Sequence, residues 1–146
     1  MTNKDILLVE DNLDDVELTR IAFAESGSSY RLIVVSDGAE AVDYLMARGK
    51  HAGRDPNQLP ALVLLDLNLP KLDGREVLQL IRNHPATKTL PVVVLTTSAE
   101  PYDVDRVYEL GANSYIQKPV EFERFVDVVR QIGLYWLDLN QPRGPN

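Results

Sequence analysis

Side chains that could do chemistry stand at the ends of short apolar runs in this sequence. Glu10 and Asp11 follow the first run, Asp66 ends the third, Thr96 follows the fourth, and Lys118 comes just after the fifth. Three crowded carboxylates would raise one another's pKa values unless a cation lay among them. Hard oxygen donors without His or Cys favour magnesium, and an aspartate beside the ion can attack phosphorus. The set therefore predicts a magnesium-assisted acceptor of a phosphoryl group.

Taken singly, each of these residues also fits an ordinary structural role. Glu10 and Asp11 would suit a solvated turn, Asp66 would suit a helix or turn cap, and Lys118 would suit a surface position. Thr is common in strands, so Thr96 carries no signal alone. The combination is what favours a site, because the members follow four different apolar runs at the same end.

The elements that would position these residues alternate between strands and helices. Apolar runs and stretches of helical period predict strands and helices, in alternating order, at 6–9, 14–26, 32–35, 38–48, 62–65, 73–84, 91–95, 101–110, 114–116 and 121–138. Strands made of Val, Ile and Leu are typical of a parallel sheet with helices on both faces. The order predicts an α/β fold, a flavodoxin-like (βα)5 doubly wound parallel sheet with strand order 2-1-3-4-5. Ligands of such sheets bind beyond the carboxyl ends of the strands, where the candidate residues stand.

Length and composition indicate one globular domain. The 146 residues match the usual size of about 150 residues per domain, and we expect a domain at 1–138, a frayed tail at 139–146 and no output domain. A net charge of −7 disfavours nucleic acid and anionic membranes as partners. The sequence has no Cys, which fits a reducing compartment. The first apolar run is also shorter than the roughly 7–15 residues of a secretory signal, so we expect a cytoplasmic protein that does not enter a membrane.

Six segments carry a family resemblance. They are Leu7 to Asn12, Leu64 to Pro70, Asp73-Gly74, Leu95 to Ser98, Gly111-Ala112 and Tyr115 to Pro119. Together they resemble the response-regulator receiver domain of two-component signalling, over the span from Ile6 to about Ile132. The resemblance implies that a sensor histidine kinase phosphorylates the protein. It implies no enzyme beyond self-phosphorylation and autodephosphorylation.

The resemblance also assigns roles to the acidic residues. It implies that Asp66 is the phosphoacceptor and that Glu10 and Asp11 organise Mg²⁺, with Asp11 and Asp66 as direct ligands. Asn68 would add its backbone carbonyl oxygen to the ion. Mn²⁺ or Ca²⁺ could substitute for Mg²⁺, because both also take oxygen ligands.

A switch coupled to the phosphoryl group is a further implication. Thr96 and Lys118 would hold phosphoryl oxygens, and movement of Thr96 would leave space into which Tyr115 turns. The face made by helix 4, strand 5 and helix 5 would then repack, as a population shift between two arrangements. The peptide bond between Lys118 and Pro119 would be cis, as in similar proteins, because cis costs little only before proline.

The end of the last helix is more apolar than one buried stripe needs. Large aromatic and Leu side chains mark interfaces. We therefore predict a homodimer or partner face that contains Tyr115, Phe122, Tyr135, Trp136 and Leu137. The alternative is that the apolar residues among 134–139 wrap back over the core.

A narrower resemblance points to the partner. Segments similar to those of the regulators paired with cyanobacterial and bacterial phytochromes are Leu64 to Lys71, Asp73 to Leu78, Pro91 to Ser98, the loop 49–60 and Trp136-Leu137. The partner would then be a light-sensing histidine kinase, and the alternative is a sensor kinase of another kind. Output would pass to a downstream phosphotransfer or target protein.

Two other classes of protein compete with this interpretation. A phosphatase of the haloacid-dehalogenase type also uses an aspartate at a strand end, but it needs a second acid two residues later, where this sequence has Asn68. A nucleotide-binding module needs a glycine-rich phosphate cradle after the first strand. Glu10, Asp11 and Asn12 stand there instead, which disfavours a phosphate.

Overall fold

The computed structural model describes residues 5–25 and 30–142. Its five strands are β1 Asp5–Val9, β2 Arg31–Val35, β3 Leu62–Leu65, β4 Val92–Thr96 and β5 Ser114–Gln117. Its five α-helices are α1 Leu13–Glu25, α2 Gly38–Met46, α3 Gly74–Asn83, α4 Pro101–Glu109 and α5 Phe122–Gly133. All strand pairs are parallel, and the order in the sheet is β2-β1-β3-β4-β5. The predicted fold class and strand order are confirmed.

The three central strands of the sheet, β1, β3 and β4, are buried on both faces. Successive side chains of a strand point to opposite sides, and helices cover both sides. In β1, Leu7 and Val9 pack into the layer under α2, α3 and α4, whereas Ile6 and Leu8 pack into the layer under α1 and α5. All four β3 residues are fully buried in the same alternating way. The two layers hold the carboxyl ends of the strands at one rim, which fixes the positions of the residues that follow each strand.

The end of α5 differs from the prediction of one helix to residue 138. The α-helix ends at Gly133, and a wider π-helical segment continues over Leu134–Leu139. At this point α5 lies very close to α1, since a Cβ on Gly133 would stand 2.7 Å from the Phe23 ring. Leu139 therefore belongs to the π-helical segment, and residues 143–146 of the predicted tail lie outside the described residues.

The predicted cis bond before Pro119 is wrong for this structure. Among the described residues no peptide bond is cis, so Lys118 and Pro119 are joined in trans. The backbone N–H of Lys118 donates to the Thr96 carbonyl oxygen at 2.7 Å with the bond in this form. Trans is also the lower-energy isomer before proline, by about 0.5–1 kcal/mol.

No α-helix within the described ranges has the length and apolar character needed to cross a lipid bilayer. The helices instead place their apolar faces on the sheet. Val77, Leu78 and Ile81 of α3, for example, are fully buried, while Leu80 of the same helix is 43% exposed.

Candidate functional site

The carboxyl ends of β1 and β3 bring three carboxylates together. Val9 pairs with Leu65 in the sheet, so the residues that follow them, Glu10 and Asp66, leave the sheet at the same level. One oxygen atom from each of Glu10, Asp11 and Asp66 lies within 4.8 Å of the other two. Glu10 and Asp66 are buried, whereas Asp11 is exposed to solvent. The cluster is therefore open on the side of Asp11.

This cluster fits a hard divalent cation. Two oxygens bound to one Mg²⁺ at about 2.1 Å lie at most about 4.2 Å apart, and around Ca²⁺ they lie up to about 5 Å apart. A small inward movement of the carboxylates would let all three share one ion. The donors of this cluster are all carboxylate oxygens, and the cluster contains no His or Cys. Such donors favour Mg²⁺, Mn²⁺ or Ca²⁺ over Zn²⁺.

Lys118 supplies the positive charge of the pocket. Its Nζ donates to Glu10 Oε1 at 2.6 Å, to Asp15 Oδ2 at 2.8 Å and to Asp66 Oδ2 at 3.2 Å. The Lys118 side chain is only 6% exposed. A buried ammonium needs such partners, because an unpaired charge in the protein interior is strongly unfavourable.

The two ends of the Lys118–Glu10 pair have shifted pKa values. Burial raises the pKa of Glu10 to about 7, against the opposing effects of the hydrogen bond and charge of Lys118. Burial acts in the opposite sense on Lys118, but its hydrogen bonds to Asp15 and Glu10 outweigh this effect and raise the pKa of the ammonium. The carboxyl groups of the cluster and of Asp15 outnumber the one ammonium of Lys118, so a bound cation would offset their negative charge.

Thr96 lies on the other side of the Asp66 carboxylate from Lys118. Its Oγ1 donates to Asp66 Oδ1 at 2.9 Å, so Thr96 and Lys118 hold different oxygens of the same group. Tyr115 is half-buried, and its hydroxyl donates to the Ser98 carbonyl oxygen at 2.8 Å. The tyrosine is thus bonded to the loop that begins directly after Thr96.

Comparison with protein families is decisive for the class of protein. The pattern of the response regulator receiver domain matches residues 6–130. This chain belongs to the response regulator receiver family.

Two known proteins are similar to this chain over almost its whole length. FilR2 of Methanothrix harundinacea, described as a probable methanogenesis regulatory protein, is 44% identical over 140 residues, which are 96% of this chain and 88% of FilR2. The response regulator Rcp1 of Synechocystis is 42% identical over 135 residues, covering 92% of this chain and 90% of Rcp1.

Two solved structures of response regulators are also similar to this chain. The crystal structure of the phosphorylated cyanobacterial phytochrome response regulator RcpA has a TM-score of 0.91 at 40% identity, covering 98% of this chain and 100% of RcpA. The Mn²⁺-bound form of Rcp1 has a TM-score of 0.89 at 40% identity, covering 97% of this chain and 99% of that one. The receiver is thus related to phytochrome response regulators.

Gly74 lets the start of α3 lie next to Asp66. A Cβ on Gly74 would lie 2.3 Å from the Asp66 carbonyl oxygen, so the start of α3 lies directly against the end of β3. Asp73 caps this helix by accepting from the backbone N–H of Arg75 at 2.8 Å. Asn68 is exposed in the intervening loop, two residues after Asp66, and the role of its carbonyl oxygen stays a prediction.

The residues predicted to form a dimer or partner face differ in how exposed they are in the receiver. Phe122 and Tyr135 are 55% and 50% exposed. Trp136 and Leu137 are half-buried and pack onto the layer under α1 and α5, as the folded-back alternative expects. Tyr115 packs partly onto the opposite layer.

Reasoning from the sequence missed the contacts of two acidic residues of this receiver. Asp15, expected only as part of an amphipathic helix, bonds to Lys118. Asp103 of α4 accepts from Arg75 Nη2 and from Ser98 Oγ, both at 2.9 Å, and the Ser98 bond followed by Arg75 lowers its pKa. No spacing rule connects these residues, because the contact of Arg75 with Asp103 spans 28 positions.

Proposed function

We propose that this receiver accepts a phosphoryl group on Asp66 from a sensor histidine kinase, with Mg²⁺ as cofactor. The observation that carries the proposal is the position of the Asp66 carboxylate, which shares a cation-sized cluster with Glu10 and Asp11. Thr96 and Lys118 donate to its two oxygens at the same time. These groups match the needs of phosphoryl transfer, which are positioning and neutralisation of charge.

In the proposed reaction, an Asp66 oxygen forms a bond to phosphorus as the bond from phosphorus to the kinase histidine nitrogen breaks. The nitrogen leaves with the bonding electrons and later takes up a proton. Thr96 and Lys118 would exchange their Asp66 acceptors for oxygens of the transferred group. A bound Mg²⁺ would neutralise charge on the phosphoryl oxygens. The backbone carbonyl of Asn68 is proposed as an additional ligand.

The surface beside the pocket suits a protein as phosphodonor. Leu13, the first residue of α1, is 79% exposed, and Val120, two residues after Lys118, is fully exposed. The contact of Lys118 with Asp15 brings the start of α1 next to the end of β5. Exposed apolar side chains of this kind are typical of interaction surfaces.

The kinase is proposed to be of the phytochrome type, and the protein to act in the cytoplasm. The likeness to Rcp1 and RcpA supports a light-sensing partner. The likeness to FilR2 supports the alternative of another sensor kinase, because the name of that relative concerns methanogenesis. Comparing initial rates of transfer from a phosphorylated phytochrome kinase and from an unrelated kinase would decide between them.

Output is proposed to be protein–protein contact rather than catalytic turnover. Phosphorylation would change the face of α4, β5 and α5 through Thr96 and Tyr115, and this face would contact a downstream protein. A homodimer is also proposed, with Phe122 and Tyr135 as its exposed apolar members. If Tyr115→Ala leaves phosphorylation-dependent binding and self-association unchanged, the switch is not built on this residue.

The central proposal is tested with acetyl phosphate and Mg²⁺, followed by intact-mass measurement. We expect one added phosphoryl group on the wild-type protein and none after Asp66→Asn. The Asp55→Asn variant is a matched control, because Asp55 is an exposed aspartate in the loop before β3. An adduct that persists in Asp66→Asn, or no adduct with acetyl phosphate or any kinase, would refute the proposal.

A further inference from the structure

The third partner of Lys118 has no part in the acceptor chemistry described above. Asp15 is not a member of the carboxylate cluster, yet its Oδ2 lies 2.8 Å from Lys118 Nζ. The phosphoacceptor Asp66 is farther from the same nitrogen, at 3.2 Å. The Lys118 ammonium therefore lies closer to Asp15 of α1 than to Asp66.

We propose that Asp15 is a positioning residue that restrains Lys118 beside α1 and thereby weakens its hold on a phosphoryl group at Asp66. The inference rests on the proposed function and extends it. It concerns how strongly the acceptor site binds its phosphoryl group, rather than whether the site accepts one.

The geometry leaves Lys118 without a spare donor. An ammonium has three N–H bonds, and Glu10, Asp15 and Asp66 accept one each. To contact a phosphoryl oxygen, Lys118 must release one of these acceptors or share a donor between two. The release of Asp66 is the smallest change, because that contact is the longest, but the pull from Asp15 remains.

The carboxylate of Asp15 belongs to a rigid turn. The backbone N–H of Asp15 donates to Asn12 Oδ1 at 3.1 Å, and Thr19 Oγ1 donates to the Asp15 carbonyl oxygen at 2.7 Å. The backbone N–H of Asn12 in turn donates to Glu10 Oε2 at 3.1 Å. The first turn of α1 therefore holds Asp15 in register with the pocket.

A metal ion would not remove this restraint. An ion shared by Glu10, Asp11 and Asp66 would draw on the oxygens that now contact Lys118, whereas Asp15 is outside the cluster. Asp15 would then become the main competitor of the phosphoryl group for Lys118. Its side chain is 22% exposed, which makes the competition moderate in strength.

The test measures binding of beryllofluoride, which mimics a phosphoryl group on an aspartate, by calorimetry at saturating Mg²⁺. Removal of the Asp15 charge in Asp15→Asn should tighten binding by about fivefold, the ratio that about 1 kcal/mol produces. Asp15→Glu keeps the charge and should bind close to wild type. Asp14→Asn is the matched control, because Asp14 is exposed in the same turn and its loss changes the net charge equally.

A purely structural role for Asp15 would appear as a loss of stability in Asp15→Asn rather than as a change in beryllofluoride affinity. Urea unfolding of Asp15→Asn should stay close to that of Asp14→Asn while beryllofluoride affinity differs between them. NMR of the Lys118 ammonium should show faster proton exchange with water in Asp15→Asn than in Asp14→Asn.

The outcomes separate the inference from the proposed function. Equal affinities for Asp15→Asn and Asp14→Asn, or weaker binding by Asp15→Asn, would overturn the role of Asp15 while leaving Asp66 as acceptor. Wild-type protein that binds beryllofluoride no better than Asp66→Asn would instead refute the acceptor site itself, and the role of Asp15 with it.

Discussion

Glu10 and Lys118 carry opposite charges at 2.6 Å, and the surrounding protein changes the protonation of both. Burial raises the pKa of Glu10 to about 7, so part of the metal-free population holds a proton there at neutral pH. Lys118 keeps its proton throughout this range because its pKa is raised as well. Ion binding at this site should therefore be linked to the release of a proton from Glu10.

Binding of Mg²⁺ should weaken as the pH falls from 8 to 5, since the ion requires Glu10 as a carboxylate. Calorimetry at pH 7 in two buffers of different ionisation enthalpy should detect proton release on Mg²⁺ binding. Glu10→Gln should release no proton at this position. Equal proton release by wild type and Glu10→Gln would contradict the assignment.

The raised pKa of Glu10 also predicts how the stability of the metal-free protein depends on pH. A carboxyl group whose pKa is higher in the folded state than in the unfolded state stabilises the fold at low pH. This contribution from Glu10 is complete below about pH 4.5 and is lost as the pH rises through about 7. Its upper bound is about 3 kcal/mol, from the size of the shift.

The grouping of Asp66 with Thr96 and Lys118 was largely predictable residue by residue, because these residues follow strands that the apolar runs identify. The contact of Asp15 with Lys118 was not predictable, because an acidic residue in the first turn of a helix is expected on electrostatic grounds alone. Its contact depends on the path of the Lys118 side chain across the pocket, which no local pattern records. The isomer before Pro119 was equally inaccessible, since the two forms differ by only about 0.5–1 kcal/mol before tertiary contacts act.

At the scale of elements, the approach of α3 to β3 sets the position of Asp66, the proposed acceptor. The backbone N–H of Gly74 donates to the Leu67 carbonyl oxygen at 2.9 Å, which holds the helix start under the strand end. A Cβ at Gly74 would lie 2.7 Å from Leu67 Cα as well as 2.3 Å from the Asp66 carbonyl oxygen. Backbone atoms cannot rotate away, so any side chain here must separate α3 from β3.

Gly74→Ala should lower the free energy of unfolding by about 1–3 kcal/mol, the usual range for an overpacked site. It should also weaken Mg²⁺ binding, because Asp66 would shift relative to Asp11. Urea unfolding and Mg²⁺ titration measure the two effects. Gly53→Ala is the control, since nothing lies within 4 Å of a Cβ there, and a Gly74→Ala protein that matches it in both measurements would disprove the steric argument.

The end of α5 was the least predictable part of the fold. The strands were placed within one residue of their observed bounds because their apolar character stops abruptly. The helix before Leu134 was expected to run on, because the apolar pattern of Trp136 and Leu137 continues without a break. The structure widens the helix there, and both side chains reach the layer under α1 and α5.

At the scale of the whole molecule, the π-helical segment packs against the layer under α1 and α5. The Tyr30 hydroxyl donates to Asp138 Oδ2 at 2.8 Å, which ties the segment to the chain before β2. Tyr135 and Trp136 contact each other edge to face, with ring centroids 5.0 Å apart. One ring faces the layer and the other is half exposed, so the segment has an inner and an outer side.

These two neighbours should therefore respond differently to substitution. Trp136→Ala should lower the free energy of unfolding by about 1–3 kcal/mol, because it removes apolar area from the layer. Tyr135→Ser should lower it by less, about 0.5–1 kcal/mol, because it removes mainly the edge-to-face contact with Trp136. It should also weaken the proposed homodimer. Urea unfolding followed by circular dichroism and sedimentation over a range of concentrations measure the two properties. A wild-type protein that stays monomeric at every concentration, phosphorylated or not, would refute the homodimer. The π-helical segment would then serve only to stabilise the fold, through the packing of Trp136.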